Sequence, residues 1–113
     1  MMNTHRNDLA ALSAAELRSR RDRLVAGLPQ AAEFLAGSLT EQRRRCGKEG
    51  CRCKRGELHG PYAYLSVADR MLYVPAVLAD AVRAHLEVSR RLQEILGEIS
   101  AVNLELLSRR ELD

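Results

Sequence analysis

The stretch YAYLSV-ADR-MLYV, residues 62–74, decides the fold. Its two outer segments alternate with the period of two that is typical of β-strands, and the short ADR segment can connect them as a hairpin. In this arrangement Leu65, Val67, Leu72 and Val74 share one face, and the three tyrosines share the other. The pattern predicts a hairpin with an aliphatic core face and a separate face of tyrosines.

The segment before the cysteines, from Ser38 to Arg45, has little helical periodicity. We predict that it is extended and that it adds a third antiparallel strand. A third strand matters because an isolated two-stranded hairpin is at best marginally stable in water.

Between this segment and the hairpin lies RCGKEGCRCKRGELHGPY, residues 45–62, with the spacing C-x4-C-x-C-x5-H. Three thiolates and one imidazole satisfy tetrahedral zinc, and glycines at both ends of the first loop permit the tight turns that such a site needs. The predicted ligands of a structural Zn²⁺ are Cys46, Cys51, Cys53 and His59. Water, Asp or Glu could replace His59 as the fourth ligand.

Other uses of the cysteines are less favoured. A disulfide would leave one cysteine unpaired and is typical of a secreted chain. A nucleophilic cysteine with His59 as its base needs one thiol, not three, and incidental thiols remain a further alternative. Paired carboxylates, a phosphate loop and a Ser/His/Asp arrangement are all missing from the sequence, so we expect no enzyme.

Charge is concentrated in the same region. The whole chain carries 18 Lys+Arg against 15 Asp+Glu, but residues 41–57 hold seven basic residues against three acidic ones. Such density suits phosphate neutralisation. The predicted nucleic-acid contacts are Arg43, Arg44, Arg45, Lys48, Arg52, Lys54 and Arg55, with Tyr62 and Tyr64 available to stack on bases. Alternatively, the charges only solvate a turn and the tyrosines cover a helix.

After Pro75, apolar and small residues recur at steps of three and four over four heptads, which predicts a coiled-coil-like helix from about Ala76 to Glu111. At 1.5 Å per residue it would be about 54 Å long, and Gly97 could mark a bend. The stripe predicts a homodimer or a docked protein partner. Its residues are Leu78, Ala81, His85, Val88, Leu92, Ile95, Ile99, Val102 and Leu106. The alternative is packing on the N-terminal helix of the same chain.

The N-terminal part is predicted to be helical. Ser13 and Glu16 have the spacing of a capping box, and Gly27 with Pro29 ends the helix. A second short helical piece, residues 30–36, closes at Gly37.

The 113 residues therefore form a single α+β domain, with a helical segment at 8–36, a zinc and β core at 38–74 and the long helix at 76–111. The longest uncharged apolar stretch, residues 71–79, contains Pro75 and is far shorter than the roughly 20 residues of a membrane span. Because a signal peptide is also missing from the sequence, we expect a cytoplasmic protein with no membrane partner.

Four motifs carry a resemblance to a known family: GSL at 37–39, RRCGK at 44–48, GCRC at 50–53 and HGPY at 59–62. Together they resemble a family of small, functionally uncharacterised bacterial and archaeal proteins with a C-G-K-x-x-C-x-C and H-G-P-Y core, often encoded near transposases and other mobile elements. The resemblance extends from Gly37 to Pro75. It implies a DNA-related role in mobile-element or phage biology without an established activity. Glu49 stands where many members have Pro.

Two functions follow as hypotheses. The first is a small zinc protein that binds nucleic acid, with DNA favoured over RNA, through the basic cysteine-bearing loop. The alternative is a protein-interaction adaptor that dimerises or recruits a recombinase or transposase through the C-terminal helix, with zinc purely structural.

Overall fold

The computed structural model describes residues 8–44 and 58–113. In chain order the elements are helix α1 (Ala14–Ala26), a 3₁₀ turn (Ala31–Glu33), strands β1 (Ser38–Arg44), β2 (His59–Val67) and β3 (Arg70–Val74), and helix α2 (Ala76–Ser108). This confirms the predicted α+β class. Within the described residues, no helix is long and apolar enough to cross a lipid bilayer.

The three strands form one antiparallel sheet in the order β1-β2-β3. The predicted third strand is confirmed, since Leu39 of β1 pairs with Leu65 of β2, which pairs in turn with Leu72 of β3. Val67 pairs with Arg70, so the hairpin turn is Ala68-Asp69 alone and is one residue shorter than predicted.

The chain divides into two compact units, Phe34–Ser89 and Met1–Glu33 with Arg90–Asp113. In the sheet unit, Ala63, Leu65 and Val74 are buried, and they pack against one row of α2. That row is Ala79, Val82 and Leu86. Full burial of one Leu or Val side chain stabilises a fold by about 1.5–3 kcal/mol, so this contact is the main support of the sheet.

Leu72 corrects one detail of the predicted core. It lies on the core face, opposite Leu65, but on the edge strand β3, and it remains 43% exposed. The predicted division of the hairpin into two faces is otherwise confirmed, because Leu65, Val67 and Val74 all belong to this core cluster.

A buried serine fixes the chain before β1 to α2. Ser89 is only 4% exposed, and its Oγ accepts a hydrogen bond of 2.6 Å from the Leu35 backbone N–H. The same hydroxyl donates to the His85 carbonyl oxygen at 2.9 Å. Leu35 lies between the 3₁₀ turn and β1, and Ser89 Oγ provides the hydrogen-bond acceptor for its backbone N–H.

In the helical unit, Leu9, Leu17, Val102 and Leu106 form the buried cluster. The predicted capping box begins α1, with Glu16 N–H donating to Ser13 Oγ at 3.1 Å and Ser13 N–H donating to Glu16 Oε1 at 2.8 Å. These two hydrogen bonds, the backbone one first, lower the pKa of the Glu16 carboxyl. The helix ends at Gly27, as predicted.

Polar contacts join both ends of this unit. The Arg109 guanidinium donates to the Leu9 carbonyl oxygen at 2.9 Å, and Arg21 donates to the Asp113 carboxylate at 2.7 Å. Hydrogen bonding to Arg21 lowers the pKa of Asp113 to about 2.

The helical segments differ from their predicted lengths at two places. The second helical piece is only the 3₁₀ turn Ala31–Glu33, and α2 ends at Ser108 instead of Glu111. Gly97 does not interrupt α2, which is continuous for 33 residues. A Cβ at Gly97 would meet open space, so no packing contact requires a glycine there.

We expect Ser89→Ala to destabilise the protein by about 1–3 kcal/mol, because it leaves the half-buried Leu35 N–H without its acceptor. Urea denaturation measures the change. The matched control is Ser100→Ala, at an exposed position of the same helix, which should be neutral or slightly stabilising. Equal denaturation midpoints for the two variants would contradict the role given to Ser89.

Candidate nucleic-acid interface

The sheet face opposite the core is built by strand register. Paired residues of antiparallel strands lie on the same face, and Thr40 pairs with Tyr64, which pairs with Tyr73. Gln42 pairs with Tyr62, and Ser66 pairs with Met71. Ser38 also pairs with Ser66. We call this surface the tyrosine face, and its members are Ser38, Thr40, Gln42, Tyr62, Tyr64, Ser66, Met71 and Tyr73.

The tyrosine face is accessible to solvent. Tyr73 is 55% exposed, while Tyr62 and Tyr64 are half-buried. The rings of Tyr64 and Tyr73 meet edge to face, with centroids 5.8 Å apart and planes inclined by 65°. This arrangement is favoured by the quadrupoles of the two rings.

The two faces of the sheet differ in charge. The core face carries Glu41, which forms a salt bridge with Arg83 of α2, and Arg83 also pairs with Asp80 at 3.1 Å. None of the eight residues of the tyrosine face is charged. In the sheet unit α2 packs on the core face, against Ala63, Leu65 and Val74, so the tyrosines do not cover this helix.

The basic, cysteine-bearing segment joins the sheet at one end. The last residue of β1, Arg44, pairs with the first residue of β2, His59. Arg43 lies beside this junction at an irregularity of the register, and its guanidinium donates to the Gly60 carbonyl oxygen at 3.5 Å. The Arg44–His59 pair therefore lies at the same end of the sheet as the Gln42–Tyr62 pair.

Most of the predicted loop contacts lie outside the described residues. These are the cysteines Cys46, Cys51 and Cys53 and the cations Arg45, Lys48, Arg52, Lys54 and Arg55. His59 is the one predicted zinc ligand that the structure describes, and it is half-buried. Among residues 8–44 and 58–113, no three His, Cys, Asp or Glu side chains come together as a metal site. The zinc site remains a prediction.

Gly60 and Pro61 belong to β2. Gly60 has φ +117°, and a Cβ there would lie 2.7 Å from the Gln42 carbonyl oxygen and 3.0 Å from the Tyr62 N. Only glycine fits this position, because both the torsion angle and the close strand approach exclude a side chain. Gly60 therefore permits the close approach of β1 and β2 beside Gln42 and Tyr62.

Sequence reasoning did not include Thr40 and Gln42 in the site. The sequence pattern that could have identified them is the alternation of Ser38, Thr40 and Gln42 with Leu39 and Glu41. It has the same period of two that identified the hairpin. Only the register with β2 shows that the polar members of this strand lie beside the tyrosines.

The residues of the predicted interaction helix differ in how deeply they are buried. Leu78 and Ala81 are exposed, His85, Val88, Leu92 and Ile99 are half-buried, and Ile95, Val102 and Leu106 are buried. Val102 and Leu106 pack on Leu9 and Leu17, so packing within one chain is correct for these positions. Because Val102 and Leu106 are buried in this core, their predicted place on a docking surface is wrong.

Other leucines on the C-terminal half of α2 are accessible instead. Leu104 is 61% exposed and Leu107 54% exposed. Together with Leu9 and Ala101 they line an apolar groove of about 490 Å³.

A three-stranded antiparallel sheet, with a helix on one face and three tyrosines on the other, defines a small α+β protein whose second sheet face is the candidate binding surface. The chain belongs to the family described as a domain of unknown function, DUF6788, whose family model matches residues 14–84. No curated protein and no solved structure matches the chain. The matched region includes the tyrosine face and the cysteine segment but not Leu104 or Leu107.

We expect Gly60→Ala to destabilise the protein by about 1–3 kcal/mol or more, because a Cβ would collide with the backbone of β1. The control is Gly97→Ala, where the added methyl group meets nothing. It should raise stability by about 0.5–1 kcal/mol through helix propensity. Thermal denaturation of both variants is the measurement, and a neutral Gly60→Ala would show that this strand junction does not require glycine.

Proposed function

We propose that the protein binds nucleic acid, with phosphates on the basic segment 41–57 and bases on the tyrosine face. One observation carries the proposal: an exposed, uncharged aromatic sheet face adjoins, at the Arg44–His59 pair, the most basic segment of the chain. The two surfaces suit the two chemical parts of a nucleotide. Cations neutralise phosphate, and aromatic rings stack on bases.

The electrostatic part rests on charge density. The seven cations Arg43, Arg44, Arg45, Lys48, Arg52, Lys54 and Arg55 lie on a short segment of the sequence, and Arg44, which begins its central part, pairs with His59, which follows it. Each phosphate contact releases condensed counterions, so affinity falls as salt rises. In the chain as a whole this effect is obscured by acidic residues elsewhere, which leave a formal charge of only +3.

Zinc is proposed as the element that orders the loop, held by Cys46, Cys51, Cys53 and His59. Three thiolates with one imidazole are a donor set that Zn²⁺ prefers, and a site with four protein ligands is structural. The sheet supports the idea because it already holds His59 opposite Arg44, so zinc would need to order only the residues between them. The family resemblance favours DNA and a mobile-element context.

We expect Arg44→Glu with Arg52→Glu to weaken binding of a fluorescein-labelled DNA strand. If each arginine contacts one phosphate, the slope of log K against log[salt] becomes shallower by about 1.4 for single-stranded DNA. Fluorescence anisotropy across a salt series measures it. The control, Arg90→Glu with Arg91→Glu, makes the same charge change on exposed cations that pair with Glu94. If both variants lose affinity equally, the loop is not the phosphate site.

Zinc is tested on the same protein. Native mass spectrometry with and without a chelator gives metal stoichiometry and oligomeric state together, and anisotropy repeated on the chelated protein gives its affinity. We expect one zinc per chain and weaker DNA binding after chelation, because a metal-ordered loop loses its structure with the metal. Unchanged binding by the metal-free protein would refute the role of zinc.

The second candidate is the protein-interaction adaptor, which the exposed Leu104 and Leu107 favour. This hypothesis predicts a concentration-dependent dimer in analytical ultracentrifugation. Leu104→Asp with Leu107→Asp should abolish the dimer, because each introduces a charge into an apolar contact, while Arg44→Glu with Arg52→Glu should leave it intact. A monomer at every concentration would count against self-association.

A further inference from the structure

We infer that the tyrosine face binds unpaired bases, so that the ligand of this protein is single-stranded nucleic acid in preference to duplex. The inference rests on the proposed function and specifies its substrate class. It is carried by the geometry and the charge of the sheet face.

The spacing of the tyrosines excludes a stacked duplex. Tyr62 and Tyr64 are two residues apart on β2 and share a face, which separates them by about 6.8 Å along the strand. Stacked bases in a duplex rise by about 3.4 Å per step. Neighbouring bases can therefore lie on both rings only if they unstack from each other, which bases of an intact duplex do not do.

The shape of the surface leads to the same conclusion. Thr40, Tyr64 and Tyr73 form a row across all three strands, and three strands span about 10 Å between the outer backbones before side chains are added. The major groove of B-DNA, about 12 Å wide, admits a helix or a two-stranded ribbon. A broad three-stranded face presented flat does not enter it.

The charge of the tyrosine face also favours single-stranded nucleic acid over duplex as the ligand. A duplex offers its phosphates as the outer surface, so a protein face that binds it needs cations. The tyrosine face has none. It offers instead the hydroxyls of Thr40 and Ser66 and the amide of Gln42, which can both donate and accept hydrogen bonds, as the edges of unpaired bases require.

The path of the strand follows from the junction at Arg44 and His59. Bases on Tyr64 and Tyr73 lie along the sheet from Gln42 and Tyr62, and the basic segment begins directly beyond that row. One strand can therefore place bases on the sheet and continue with its phosphates on the loop. Because stacking accepts every base, binding should have little sequence preference.

The amino-acid composition of the chain makes tyrosine fluorescence a selective measure of binding at the tyrosine face. It has three tyrosines and no tryptophan, and all three tyrosines lie on this face. Tyrosine fluorescence therefore reports on this face alone. We expect an unlabelled oligothymidine to quench it on the full-length protein, and a duplex of equal length to leave it nearly unchanged.

The variant test uses Tyr73→Leu, at a position exposed enough to tolerate the change. Its affinity for labelled oligothymidine should fall by about 5-fold to 100-fold through the lost stacking, with duplex affinity unaltered. Tyr73→Phe, which keeps the ring, should bind like the original protein. Thermal denaturation verifies that both variants fold.

The outcomes distinguish the two proposals. Tighter binding to the single strand, lost in Tyr73→Leu alone, supports the inference. Equal binding to both DNA forms, with loss on Arg44→Glu with Arg52→Glu but no tyrosine quenching, overturns it and leaves the proposed function standing. No binding to either form overturns both.

Discussion

The packing of α2 on Ala63, Leu65 and Val74 is the contact on which the rest of the structure depends. Strand residues alternate between faces, so burying these three under α2 places the tyrosines on the other face. A slip of one residue in the register would exchange the two sets and bury the tyrosine hydroxyls against aliphatic side chains. The same contact therefore stabilises the sheet and determines which chemistry it presents to solvent.

The features that sequence predicted well are those encoded by neighbouring residues. The capping box needs only Ser13 and Glu16, three positions apart, and both of its hydrogen bonds form. The two faces of the hairpin follow from a period of two, whereas the pairing of Leu65 with Leu72 depends on a turn one residue shorter than the sequence predicted. The tyrosine part of the site was predictable for the same reason.

The features that sequence missed depend on contacts between distant residues. Near the start of α2, the row with Leu78 and Ala81 and the row with Ala79 and Val82 both have helical spacing, and only the shape of the sheet selects the second. Gly60 illustrates the same limit, since its requirement for glycine arises from the Gln42 carbonyl on another strand. Periodicity identifies a helix or strand but does not choose its partner.

The small core has a further consequence for ligand binding. Among the residues of the sheet unit outside 45–57, few are deeply buried, and domains of this size are marginally stable. Any ligand that binds only the folded state adds RT ln(1 + [L]/Kd) to its stability, about 2.7 kcal/mol at a concentration of one hundred times Kd. This increment is a large share of the free energy of unfolding of a marginally stable fold. The proposed metal and the proposed nucleic acid would each stabilise the sheet, and because both proposed sites adjoin the Arg44–His59 pair, binding of one would favour binding of the other.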